Sequence, residues 1–366
     1  MLTRFEVTGF KNFKSKIVLD FTDVRDYQFG ADCIKDQLLN KIIIYGKNAV
    51  GKSNLGLALF DVTTHLTEKN VTPGLYDYYL NADEETEFAE FRYDFRFGQT
   101  AVTYMYRKSE NRELLFEEVL VDRKLIFSHD FIKGETDISG LEAYAPSLNL
   151  DFKEANLSLL RYIVNNSKAD DVKPLALLMR FVSRMLWFRS LDENRYIGYK
   201  TESSDYIKFI FDDNNLEEFE AFLNSAGIND KLIAIDSPSG GQILYFNKEK
   251  PLPFLKVASN GTKALYTIFY WLKTSADLSL LFVDEFDAFY HSELSETIVE
   301  ILESNKSFQT ILTSHNTNLL SNRIMRPDCY FILTPEKLVS FTNATARELR
   351  EGHNLEKLYL SGEFDG

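Results

Sequence analysis

Gly46-Lys47-Asn48-Ala49-Val50-Gly51-Lys52-Ser53 stands between the apolar run Ile42-Ile43-Ile44-Tyr45 and the stretch Leu55-Gly56-Leu57-Ala58-Leu59-Phe60. This is G-x-x-x-x-G-K-[ST] in the strand-before, helix-after setting that gives the pattern its meaning. Glycines at both ends let successive backbone N–H groups face phosphate oxygens, and the positive end of the following helix favours the same anion. We expect Gly46, Lys47, Asn48, Ala49, Val50, Gly51, Lys52 and Ser53 to cradle a nucleoside triphosphate. Lys52 would reach the β and γ oxygens, and Ser53 would ligate Mg²⁺.

A second stretch adds chemistry to binding. Leu278-Ser279-Leu280-Leu281-Phe282-Val283-Asp284-Glu285 is an apolar strand that ends in two carboxylates, the form of a buried parallel strand opening on a ligand crevice. Asp284 is the expected Mg²⁺ ligand and Glu285 the base that polarises the attacking water. Alone the pattern is weak, because acidic residues also cap following helices. Its pairing with the loop at Gly46 makes it informative.

Ser259-Asn260-Gly261-Thr262-Lys263 opens the helical run Ala264 to Trp271 and lies 25 residues before Asp284 (284 minus 259). A serine hydroxyl, a glycine amide and a helix start make a second anion site, more than one nucleotide pocket needs. The economical reading is that Ser259 and Gly261 act in trans, on a γ-phosphate held by another subunit. Ile311-Leu312-Thr313-Ser314-His315-Asn316 is a strand followed by a histidine, 31 residues after Asp284 (315 minus 284). His315 is expected to sense the γ-phosphate and orient water. The plain alternatives are an N-cap serine at 259 and a satisfied loop histidine at 315.

In this order the motifs resemble ABC-type ATPase heads of the SMC, Rad50, RecF and OLD group, and within it the AAA15-like ATPases of abortive-infection and phage-defence operons. Phe5 to Lys14, with Phe10-Lys11-Asn12-Phe13, is similar to the group's opening strand and F-[KR]-[SN]-F turn. Phe286-Asp287-Ala288-Phe289-Tyr290-His291 is similar to the run after the second carboxylate, and Leu349 to Tyr359 to the R-x-G-H-N-L-E-K-x-Y tail of stand-alone defence ATPases. The resemblance implies an α/β fold: an ABC-type P-loop ATPase head with a mixed, largely parallel core sheet, an antiparallel β flank and a helical insertion. It implies ATP and Mg²⁺ as cofactors, and homo-oligomers through ATP-dependent head dimers. It also implies a separately encoded effector, toxin or nuclease, as in PARIS-type systems, with a phage-derived trigger. A RecF-like repair head acting directly on nucleic acid is the alternative. Ala258-Ser259-Asn260-Gly261-Thr262 departs from the transporter L-S-G-G-Q, and Gln99, between Gly98 and Thr100, reads as a hairpin turn rather than a Q-loop.

Composition is consistent with this. The 366 residues are 45% hydrophobic and 14% aromatic, enough for a large packed interior. No run of eighteen apolar residues and no signal-type start appears, so the expectation is a cytoplasmic protein without a membrane span. Two cysteines, Cys33 and Cys329, make no disulfide framework or zinc cage. A net charge of −14 argues against a broad phosphate-tracking surface; a local patch at Arg180, Arg184 and Arg189 leaves nucleic acid an open question. Texture divides the chain into an N-terminal lobe (1–140), a helical insertion (141–225) and a C-terminal lobe (226–366). Alternation at Phe91, Tyr93, Phe95 and Phe97, then Val102, Tyr104 and Tyr106, predicts an antiparallel β element in the first. Three-and-four spacing of Leu175, Leu178, Phe181 and Val182 predicts helix in the second, where the stretch Leu175 to Leu191 is the expected variable surface for trigger or effector.

Overall fold

The computed structural model describes residues 1–67, 74–83, 85–141, 157–189, 195–198, 208–237, 240–274, 276–288 and 292–364. In chain order, β1 (Leu2–Thr8) and β2 (Ile17–Asp20) pair antiparallel, a short ribbon follows with β3 (Ile34–Lys35) and β4 (Leu38–Leu39), and β5 (Lys41–Tyr45) runs into α1 (Lys52–Leu66). A meander comes next, of β6 (Ala89–Phe97), β7 (Thr100–Lys108), β8 (Leu114–Val121), β9 (Lys124–Asp130) and β10 (Glu135–Asp137). Helices α2 (Leu159–Asn166) and α3 (Lys173–Val182) lead to β11 (Met185–Arg189) and β12 (Arg195–Gly198). Then α4 (Asn215–Ser225) precedes β13 (Leu232–Asp236), β14 (Gln242–Phe246), β15 (Leu252–Pro253) and α5 (Phe254–Val257). The chain closes with α6 (Asn260–Thr274), β16 (Leu280–Asp284), α7 (Ser292–Ser304), β17 (Gln309–Ser314), β18 (Tyr330–Leu333), β19 (Leu338–Ser340) and α8 (Leu355–Leu360).

Two seven-stranded sheets carry the fold, ordered β10-β9-β8-β7-β6-β1-β2 and β12-β11-β16-β17-β5-β18-β19. The first is antiparallel throughout. In the second, β11, β16, β17, β5 and β18 run parallel, and β12 and β19 are antiparallel edges. Every residue of β5, β16 and β17 is buried, which is why β5 and β16 read as apolar runs instead of alternating ones, while β17 buries polar residues on either side of Ile311 and Leu312.

Helix α1 is the layer between the sheets, with Leu55 to Thr63 buried without a break and Leu55 to Phe60 apolar all round, as a doubly covered helix requires. On one side a Cβ at Gly56 would lie 2.9 Å from the Trp187 ring of β11 and 3.0 Å from the Phe282 ring of β16, so only glycine allows this approach. On the other side the Tyr93 hydroxyl donates to the carbonyls of Ala58 and Leu59 at 3.0 and 3.2 Å. A buried Lys108–Asp61 pair at 2.6 Å fastens the meander to the same helix.

The antiparallel element appears as expected, with Ala89, Phe91, Tyr93 and Phe95 buried in alternation and Gly98-Gln99 forming the two-residue turn to β7. The segment 141–225 is not purely a helical insertion. It supplies α2, α3 and α4, but also β11, paired in parallel with β16 inside the core sheet. The stretch from Leu175 is only partly open surface: Leu175, Leu178, Phe181 and Val182 are buried against the body, as are Met185 to Phe188, while Arg180 on the other face of α3 is exposed. Arg180 and Arg184 face Asp277 at 3.9 and 3.1 Å, and Arg189 stacks over Trp187, so the three arginines form no open basic patch. Leu191 and His291 lie outside the described residues. Among the described residues no helix is long and apolar enough to cross a membrane.

Candidate functional site

Register brings the sequence motifs to one edge. Tyr45 of β5 lies opposite Ser314 of β17, and Val283 of β16 opposite Leu312, so the phosphate loop, His315 and the Asp284-Glu285 pair leave adjacent parallel strands at the same carboxyl end. Ligands bind at such an edge in open α/β sheets.

The loop is held by tight local geometry. Gly51 has φ +105°, and a Cβ there would sit 2.4 Å from the Asn12 side chain. Asn12 donates from Nδ2 to the Val50 carbonyl at 2.8 Å, and its Oδ1 accepts from Asn54 of α1 at 2.7 Å. Thus the asparagine of Phe10-Lys11-Asn12-Phe13 bolts the loop to the first helix turn. This function was not read from the sequence; the signal available was an amide side chain inside a turn otherwise built of aromatics and lysine.

Lys52 is buried, 5% exposed. Its Nζ lies 3.2 Å from the Gly46 carbonyl, 3.4 Å from that of Lys47 and 2.5 Å from His315 Nε2. Burial lowers the lysine's pKa, opposed by Glu285, Asp284 and Asp287. The His315 imidazole is pushed down too, by burial first and then by the Lys52 charge, so at neutral pH its Nε2 accepts from the ammonium. Glu285 Oε1 stands 3.9 Å from the same Nε2.

Strand β17 orders the carboxylates. Thr313 Oγ1 donates to Asp284 Oδ1 at 2.7 Å and accepts from the Glu285 N–H at 2.7 Å, and Ser314 Oγ donates to Asp287 Oδ2 at 2.8 Å. Burial raises the Asp287 pKa. Glu285 itself takes φ +47°, an unusual conformation for a non-glycine residue and one concentrated at functional sites. Thr313 and Ser314 were quoted in the sequence only as strand residues, although two polar residues closing a wholly buried strand mark them as partners of something.

These residues fit a metal-bound nucleotide. Asp284 is 6% exposed, yet among the described residues no cationic side chain pairs with it. A buried carboxylate in that position, together with the Ser53 hydroxyl, would offer hard oxygen ligands of the kind Mg²⁺ takes.

Ser259 and Gly261 lie elsewhere. Ser259 caps α6: its Oγ accepts from the Thr262 N–H at 3.1 Å and lies 2.9 Å from Thr262 Oγ1, the N-cap arrangement weighed above. With Ser225, Gly227, Ile228, Leu294 and Thr297 they line a separate open cleft of about 720 Å³ that includes no phosphate-loop residue.

The sequence profile of a family described as "AAA domain, putative AbiEii toxin, Type IV TA system" matches residues 41–321. No curated protein matches the chain. Among solved structures, an SMC head bound to the C-winged helix domain of ScpA is 14% identical, with 93% of this chain and 97% of that one covered and a TM-score of 0.48. The SMC head domain from Thermotoga maritima is 13% identical, with 93% and 98% covered and a TM-score of 0.44. An SMC head with an extended coiled coil, bound to the C-terminal domain of ScpA derived from Pyrococcus furiosus, is 14% identical, with 93% and 96% covered and a TM-score of 0.46. The profile match spans the phosphate loop, both carboxylates and His315, and the chain belongs to this family of AAA domains, described for a putative abortive-infection toxin.

Proposed function

We propose that the chain is an ATP-hydrolysing switch in anti-phage defence that controls a separately encoded effector, a toxin or nuclease, and responds to a phage-derived trigger. The observation that carries the hydrolytic part is the convergence of Lys52, His315 and Glu285 within 2.5 and 3.9 Å of the shared His315 Nε2. Lys52 exchanges its carbonyl and imidazole partners for β and γ oxygens when ATP enters. That exchange frees His315 Nε2 to accept from the attacking water or, as the Nε2–H tautomer, to donate to a γ oxygen. Glu285 takes the water's proton, a role that contributes about 10²–10⁴ in rate. Ser53 and Asp284 would hold Mg²⁺, which when bound offsets charge on the β and γ oxygens. Ser259 and Gly261 complete the site of a second copy, which accounts for an exposed serine-capped helix start set apart from the phosphate loop.

The defence role draws on the family and on the Arg350 to Tyr359 tail. Lys52→Ala should abolish nucleotide binding, whereas Glu285→Gln should keep binding and lose turnover by at least about a hundredfold. Equal turnover in Glu285→Gln removes Glu285 from the base role. In cells, deleting the effector gene should leave ATPase activity intact and end growth arrest, and Lys52→Ala should end protection with the effector present. The family description names a toxin, which gives a second reading: arrest by this chain expressed alone would make it the toxin itself. Cleavage of DNA or RNA by the purified chain would favour the RecF-like alternative.

A further inference from the structure

We propose that the outer face of the β13–β15 sheet, together with α5, is a docking surface for a second copy of this chain. The proposal rests on the composite-site reading and extends it from the turn at Ser259 to a surface. An antiparallel sheet with one face in water alternates apolar and polar side chains; this one is apolar on both faces. Leu232, Leu244 and Phe246 are buried on the inner side, where Phe246 meets Phe254 with ring centroids 5.2 Å apart. Register sets Ile233 opposite Tyr245 and Ile235 opposite Ile243, with Tyr245 opposite Pro253, so these five stand together on the outer side. Ile233 and Ile243 are 37% and 39% exposed, and Leu255 and Val257 of α5, at 42% and 48%, carry the apolar surface off the sheet; Leu252 stands opposite Phe246 on the other face. Tyr78, Ile132 and Leu360 are as exposed or more so, but they lie apart from one another in the chain, as scattered surface residues do. A contiguous apolar patch calls for a partner.

The partner follows from where the patch sits. Residues 225–228, just before the sheet, and 259–262, just after it, are the two lips of the Ser259 cleft, and Val257 is followed at once by Ala258 and the exposed Ser259. A copy that brings its phosphate loop to Ser259 arrives beside residues 229–258. The chain carries a net charge of −14, so copies repel over most of their surfaces and approach most readily where charge is absent, as along Gln242–Phe246. Exposed Lys231, Lys248, Lys250 and Lys256 with Asp236 and Glu249 ring that zone. Both signs are present on each copy, as a two-fold, self-complementary contact with an apolar centre and polar rim requires.

The test uses the full chain in a Glu285→Gln background with ATP, measured by sedimentation, and turnover against protein concentration in the parent background. Ile233→Asp with Ile243→Asp should weaken self-association and shift the concentration dependence of turnover by at least about tenfold, the scale set by charges in an apolar interface centre. Nucleotide affinity should stay within about twofold, and Ile132→Asp, on a different sheet, should behave as the parent. Should the double variant misfold, Leu255→Asp with Val257→Asp tests the same surface from α5. Self-association unchanged in both pairs overturns the proposal; if Ser259→Arg still abolishes turnover, the composite-site reading survives without this surface. A parent that is monomeric and fully active at every concentration overturns both. Unchanged self-association with loss of a bound effector assigns the face to the effector and likewise overturns it.

Discussion

Asn12 and Gly51 show what a single residue contributes here and how much of it sequence conveys. The phosphate loop announces itself by pattern, and so do Lys52, Asp284 and Glu285, because each motif is contiguous and its chemistry demands those residue types. The Asn12 clamp does not, since it joins Val50 across 38 positions and no local periodicity records such a contact. Asn12→Ala removes the bond to the Val50 carbonyl and the one from Asn54. At about 0.5–1.5 kcal/mol each, their loss should weaken ATP affinity by roughly tenfold while the fold stays intact, as read by titration calorimetry. Unchanged affinity would mean the loop holds its shape unaided. Gly51→Ala should be more severe, because φ +105° is closed to alanine and the new methyl would meet Asn12. Adding Asn12→Ala relieves the collision but not the backbone, so the double variant should recover only part of the binding.

Elements divide by how their burial is written. The meander alternates and is legible; β5 and β16 are apolar runs and β17 a short apolar pair between polar residues, legible because a motif follows each. Strand β11, Met185-Leu186-Trp187-Phe188-Arg189, is equally buried but has no motif after it and follows the helical spacing of α3. A short buried strand and a buried helix segment give the same periodicity signal, so residues 141–225 read as helix throughout. Burial also leaves titratable groups inside elements. Glu303 of α7 accepts from the Cys33 thiol at 3.4 Å and is pushed up from 4.5 to about 7 by burial. Its folded pKa lies above its unfolded one, so its stabilising contribution is complete below pH 4.5 and lost as pH rises to about 7. Lys41, lowered by burial to about 7, is largely protonated in both states over most of that window and adds little slope. Glu303→Gln should therefore remove a decline of up to about 1.4 kcal/mol per pH unit, seen as urea midpoints that differ less between pH 5 and 7 than those of the parent. Parallel curves would place an ionised Glu303 in the folded protein.

At the scale of the whole molecule, the division into 1–140, 141–225 and 226–366 cuts across one sheet, since β5, β11 and β16 come from all three parts. The nucleotide edge is thus built from the full length of the chain, while Ser259 and Gly261 face a different cleft. If that cleft serves a neighbour's ATP, lesions in Glu285 and in Ser259 fall on different sites of a mixed dimer. A heterodimer of Glu285→Gln and Ser259→Arg chains has one site with both lesions and one with neither. Random pairing at equal amounts makes half the dimers mixed, and half their sites are intact, so the mixture should recover about one quarter of parental turnover from two nearly inactive proteins. Recovery should vanish on dilution below the dimer's dissociation constant and return on concentration. If each site were complete within one chain, mixing would give only the average of the two variants, and the parent would keep its full specific activity however dilute. The quarter-rate recovery thus separates a switch that counts its own copies from an ATPase that works alone.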